Sequence, residues 1–217
     1  MGRIQPLDRE QILDVTVRLS RSTDRNALSY RTIAAELEID PASLYRYFAN
    51  KKELINATVD RLWEGVVAQI DPSLPWRRGL EAGADLVFRM VDAHPAVMVE
   101  VAQRSTGGPG EYGLIELILD AIERSGLTGD AVVRAYAVFS GVALSLAANQ
   151  AAFRLAGEDP DPEPTKAWVS EHLVPDPTRF PHVLHYAVPL MAVTIREVYD
   201  LAIANVLDNI EHLVAQG

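Results

Sequence analysis

Apolar residues in this chain recur at spacings of three and four, and nowhere do they alternate with polar ones between hairpin turn signals. That period restricts the fold to the all-α class, because an apolar stripe of helical pitch has no matching face on a sheet. Near the C-terminus Met191, Ile195, Val198, Ala202, Val206, Ile210 and Leu213 keep the spacing, which predicts one long helix from about Val188 to Val214.

Polar caps and prolines cut the stripes into separate helices. The first is expected over about Asp8 to Ser22, with Ile12, Val15 and Leu19 inward, and the second over about Ser29 to Leu37, with Ser29 as its N-cap. Asp40 can cap a third, at whose first position Pro41 needs no amide donor, and which ends near Phe48. Asn50 and Glu53 have the spacing of a capping box and open a fourth, running to about Ile70. Further helices are expected at about Trp76 to Ala93, Pro95 to Arg104, Glu111 to Ser125 and Thr128 to Leu155. After the proline-rich acidic loop at 156–164, a short helix is expected around Thr165 to Leu173.

Three short helices within the first 50 residues, with a tight turn between the second and third, satisfy the helix-turn-helix pattern. On the third, Leu44 and Phe48 lie four apart and face inward, leaving Pro41, Ala42, Ser43, Arg46 and Tyr47 outside.

The stretch LSYRTIAAELEIDPASLYRYFANKKELINA resembles the DNA-binding domain of the TetR family of transcriptional repressors. The register of Ser29-Tyr30-Arg31, Ile33-Ala34, Leu44-Tyr45, Phe48 and Lys51 carries that resemblance. More loosely, SLPWRRGLEAGADLVFRMVDAHP is similar to the tetracycline-repressor-like C-terminal subfamily. The resemblance implies a three-helix helix-turn-helix DNA-binding domain over residues 1–52 and a larger helical ligand-binding and dimerisation domain over 53–217, with helix 50–70 connecting them. It further implies that Tyr45 and Lys51 hold backbone phosphates, that Pro41, Ala42, Ser43 and Tyr47 face the groove, and that Arg46 meets a base or a phosphate. Arg31, with Ser29 beside it, lies where the second helix meets DNA. Such contacts to phosphate position the protein, whereas contacts to base edges specify sequence. The chain departs from the family at Glu38, where the turn usually holds a glycine; another residue in a left-handed conformation costs about 1 kcal/mol.

Charge follows the same division. Residues 1–70 carry 10 Lys and Arg against 10 Asp and Glu, so the net charge of −10 sits wholly in the remainder. The chain has no cysteine, which excludes a disulfide framework, a thiolate nucleophile and a cysteine-based zinc site. No phosphate loop, Ser-His-Asp order or paired-carboxylate motif stands out, so the reading is not an enzyme and carries no cofactor. His182 and His185, three apart, have a metal-ligand spacing without a third ligand, and no metal is expected. No apolar run is read as long enough to span a bilayer, and the N-terminus lacks a signal-peptide core; a cytoplasmic protein without a membrane partner is expected.

Trp63, Phe88, Met90, Met98, Tyr112, Tyr136 and Phe139 are candidates to line an apolar ligand pocket, although stripes of this kind are more often core. Small residues in SGVALSLAANQAA, among them Gly141, Ala147 and Ala148, would let the helix from Thr128 pair closely with a second copy. The expectation is a homodimeric, ligand-responsive repressor binding double-stranded operator DNA and released by a small apolar effector. Its rivals are an activator of the same fold, or a small-molecule-binding protein or enzyme whose N-terminal helices are structural.

Overall fold

The computed structural model describes residues 7–24, 26–98, 105–156 and 175–216. Among them the helices are α1 Arg9–Leu19, α2 Tyr30–Glu36, a short 3-10 helix Pro41–Arg46, α3 Lys51–Val67, α4 Trp76–Ala93, α5 Pro95–Met98, α6 Pro109–Arg124, α7 Asp130–Ala156, α8 Pro181–Ala192 and α9 Ile195–Gln216. The fold is all-α, with an N-terminal helix-turn-helix and a larger helical C-terminal part. The helix expected at Thr165 to Leu173, most of the acidic loop and the end of the helix expected to reach Arg104 fall outside the described residues.

Local chemistry sets most boundaries. Asp8 caps α1 in a capping box with Gln11, and Ser29 caps α2 by accepting the Thr32 N–H at 3.1 Å. α1 stops at Leu19, three residues before the expected end, where the Ser20 N–H closes on Thr16. At α3 the Asn50 side chain accepts the Glu53 N–H, but the Glu53 carboxylate reaches one residue further back than a capping box requires, to the Ala49 N–H at 2.8 Å.

The single C-terminal helix expected from Val188 is two helices. Thr194 and Glu197 form a reciprocal cap that starts α9 afresh, and Val193 before it is extended. Thr-x-x-Glu at 194–197 was a readable start signal, overridden by the continuous apolar stripe across it.

Two apolar clusters organise the packing. The smaller gathers Ile12, Leu13, Ile33, Ala34, Leu44, Phe48 and Leu54 from the first three helices and the start of α3. The larger takes Ile55, Val59, Leu62, Trp63 and Val66 from α3 and continues through α4, α6, α7 and α9. α3 therefore belongs to both.

Contrary to the expectation, one helix among the described residues has the length and apolarity that crossing a bilayer requires, namely α7. Val132, Ala135, Phe139, Ala143, Ala147 and Ala151 bury its inner face, while Val133 and Val138 stand exposed on the other. Ala147 is thus turned into the protein's own core, and Ala148 faces a cavity; of the three small residues named for the approach of a second copy, Gly141 alone is exposed, with open space around it. α8 is apolar and exposed along nearly its whole length, from Val183 and Leu184 to Val188 and Leu190.

Candidate nucleic-acid interface and ligand cavity

The short 3-10 helix is started by Asp40, whose carboxylate accepts the Ala42 N–H at 2.7 Å, with Pro41 following. The turn before it runs through Glu38 at φ 54°, the one non-glycine residue with positive φ among the described residues. The departure from glycine therefore falls on a left-handed backbone position. Leu44 and Phe48 are fully buried beneath, and Pro41, Ala42, Tyr45 and Arg46 are exposed.

One sequence expectation is corrected here. The helix has 3-10 rather than α pitch, so residues three apart eclipse and Tyr47 lies on the side of Leu44. Its ring packs against the small cluster and its hydroxyl donates to the Leu7 carbonyl at 2.5 Å. Tyr47 is half-buried and pinned, not held out toward a groove.

Tyr45, by contrast, is 61% exposed and meets Tyr30 edge-on, with ring centroids 4.9 Å apart. Ser43 is half-buried, Ser29 is engaged with Thr32, and Arg31 and Lys51 are exposed at the starts of α2 and α3. Tyr45, Arg46, Arg31 and Lys51 bring exposed hydrogen-bond donors to the helix-turn-helix, the chemistry that phosphate contact requires.

Sequence reasoning missed the brace behind this surface. The Arg9 guanidinium lies 4.2 Å over the Phe48 ring and donates both to the Tyr47 carbonyl at 2.9 Å and to Glu53 at 3.2 Å. The Ala49 N–H and Arg9 together hold the Glu53 carboxyl below its ordinary pKa. Nothing in the sequence tied Arg9 to residues some 40 positions away.

A cavity of about 100 Å³ lies in the C-terminal part between α3, α4, α6 and α7. Of the residues anticipated for it, Trp63, Met98, Tyr136 and Phe139 line it. Three stand elsewhere: Phe88 packs on Tyr199 of α9 under the Arg196 guanidinium, Met90 borders a shallow groove beside His94, and Tyr112 is exposed. The space owes much to Gly79 and Gly83, small residues on one face of α4 that an expectation of aromatic lining left out. Their i, i+4 spacing was the available signal. Polar groups at the cavity are few: Asp71, Glu111, Arg124, Tyr136 and Ser140. His182 and His185 are exposed on α8.

Residues 12–58 match the family described as bacterial regulatory proteins, tetR family. Residues 12–58 are thus a helix-turn-helix domain of the tetR type. The chain is 29% identical over 142 residues to the HTH-type transcriptional repressor DrrR1 of Streptomyces coeruleorubidus, covering 65% of the chain and 53% of the relative. The chain thus spans about half the length of that curated relative. A protein of Streptomyces coelicolor A3(2), described as a transcriptional regulator, superimposes with a TM-score of 0.77 at 27% identity, over 96% of this chain and 99% of that one. ActR of Streptomyces coelicolor shares the fold at a TM-score of 0.78 and 18% identity, over 99% of each chain, and a further ActR structure contains actinorhodin.

Proposed function

We propose that this chain is a homodimeric TetR-family repressor that binds a pseudo-palindromic operator and is released by a small apolar effector, acting in the cytoplasm. The observation that carries the reading is the coexistence of a braced, donor-bearing helix-turn-helix and an apolar cavity on opposite ends of α3. The recognition elements of two copies would meet DNA about 34 to 36 Å apart, one helical turn. Tyr45 and Lys51 would seat the head on phosphates, Arg31 and Arg46 would meet base edges or phosphates, and Pro41 and Ala42 would touch thymine methyls. Pairing would use the outer face of α7 around Val133, Val138 and Gly141, together with Leu201 of α9, whose apolar surface is otherwise left to water.

The cavity is smaller than the roughly 300 to 1,000 Å³ that an ordinary ligand site occupies. An effector of that size enters only by parting α4, α6 and α7, so it binds a changed state better than the one described. That preference is what lowers DNA affinity, and by no more than its own size. The ActR–actinorhodin complex supports a ligand in this fold.

Purified protein titrated onto fragments of neighbouring promoters tests the proposal. Binding of one fragment at least 10³-fold tighter than random duplex is expected, as is weakening of both by Lys51→Ala, with a salt slope smaller by about one. No preference for any fragment at low salt would refute it, and a fall in target transcription on deletion would make it an activator instead.

A further inference from the structure

The N-terminus of α6 lacks a cap of its own. Its N-cap residue is Gly108, without a side chain, Pro109 follows, and the Glu111 N–H, in the first turn, has no acceptor within the helix. Asp60, from the middle of α3, supplies that acceptor across the interface: its Oδ1 takes the Glu111 N–H at 2.9 Å and lies 3.2 Å from the Thr106 hydroxyl, whose one hydrogen goes to the nearer Glu111 carboxylate. Asp60 is only 8% exposed, and a carboxylate at a helix N-terminus is where the helix dipole favours it.

The two helices are held at backbone contact. A Cβ on Gly108 would fall 2.2 Å from the Asp60 carboxylate, and one on Gly110 2.2 Å from the Asp60 carbonyl oxygen and 2.8 Å from the Glu64 nitrogen. Glu111 then ties down the preceding loop, its carboxylate accepting from the Ser105 hydroxyl at 2.7 Å, the Thr106 hydroxyl at 2.9 Å and the Gly107 N–H at 2.7 Å. Burial opposes that charge, yet these bonds keep its pKa below the ordinary value. Glu111, Leu114, Ile118 and Ala121 form the α6 wall of the cavity.

We infer that Asp60 is the positioning residue through which the cavity wall sets the placement of the DNA-binding head. α3 is the rigid link. From Asp60 it runs about 14 Å toward its N-terminus, where Leu54 enters the small core, Glu53 pairs with Arg9, and Lys51 stands exposed. Next to Asp60, Arg61 pairs with Glu10 and Asp14 of α1, so both the connector and the first helix follow the same point. A ligand that pushes α6 outward strips the Glu111 N–H from Asp60 and frees α3 to swing. The inference rests on the repressor reading above.

The test uses the full-length protein and the promoter fragment it prefers. Amide exchange at Glu111 is followed with and without DNA, and fragment affinity is measured by anisotropy for wild type, Asp60→Asn and Asp60→Ala, each shown folded by circular dichroism. Saturating DNA is expected to slow Glu111 exchange in the wild type, because coupling is reciprocal. Asp60→Ala is expected to abolish that response and weaken specific binding about tenfold, a coupling of ordinary size. Asp60→Asn, which keeps the oxygen acceptor, is expected to rescue both. A merely structural Asp60 predicts no DNA-dependent change at Glu111. That result in the wild type, which needs no variant, overturns the inference, as does unaltered DNA affinity in folded Asp60→Ala. If wild type prefers no fragment, the repressor reading falls and the coupling with it; preference without coupling overturns the coupling alone.

Discussion

Acidification should loosen the junction between the first helix and α4 through a single imidazole. His94 caps the C-terminus of α4 and is 6% exposed, with Nδ1 2.7 Å from the Ser20 Oγ. The Ser20 hydroxyl donates to the Val17 carbonyl at 2.7 Å, so Nδ1–H is assigned as the donor to Ser20, and the ring is neutral. Burial, with the Arg21 charge adding to it, pushes its pKa from the ordinary 6.5 down to about 4, against an opposing hydrogen bond to Val17. Asp14, Arg61 and Arg89 line the groove beside it.

Because the folded pKa is depressed, the neutral ring contributes stability that is complete above pH 6.5 and lost as pH falls toward 4. The lowering corresponds to about 3 kcal/mol across that window. Urea unfolding at steps between pH 7.5 and 4 measures it, with His94→Asn as the reference that keeps a donor near Nδ1 but does not titrate. Carboxylates lose stability equally in both proteins, so the wild type should lose about 3 kcal/mol more than the variant. Parallel stability curves would refute the argument.

Other outcomes follow from single contacts. Glu38→Gly should raise stability by about 1 kcal/mol, or ~2 to 4 °C in a thermal scan, since the backbone there is left-handed and the side chain exposed. Tyr47→Phe should cost about 1 kcal/mol in urea unfolding by leaving the Leu7 carbonyl without its donor. Tyr45→Phe should leave stability within about 0.5 kcal/mol, the ordinary range for a surface change, and weaken binding to specific and random duplex alike. Gly110→Ala should cost about 3 kcal/mol, because its methyl would meet backbone atoms.

The head was largely legible in the sequence because its signals are short-range. The caps at Asp8, Ser29, Asp40 and Asn50 each act within three residues of themselves, and the left-handed turn at Glu38 lies in a loop whose geometry a five-residue window sets. Tyr47 was misplaced because side-chain direction depends on pitch, and the change from 3.6 to 3.0 residues per turn rotates it inward. At the C-terminus, apolar periodicity ran unbroken through Val193 while a local cap ended the helix.

The sequence by itself determined the all-α class and the helix starts of the N-terminal head, since hydrogen bonds between near neighbours and one apolar period are sufficient for these. Tertiary structure decided which aromatics line the cavity and which fill the core, because both roles ask for the same residue types at the same spacing. It alone joined Asp60 to Glu111, 51 residues apart, and His94 to Ser20, 74 apart. Such pairs form where helices cross, and crossing positions depend on packing of the whole chain rather than on any stretch of it.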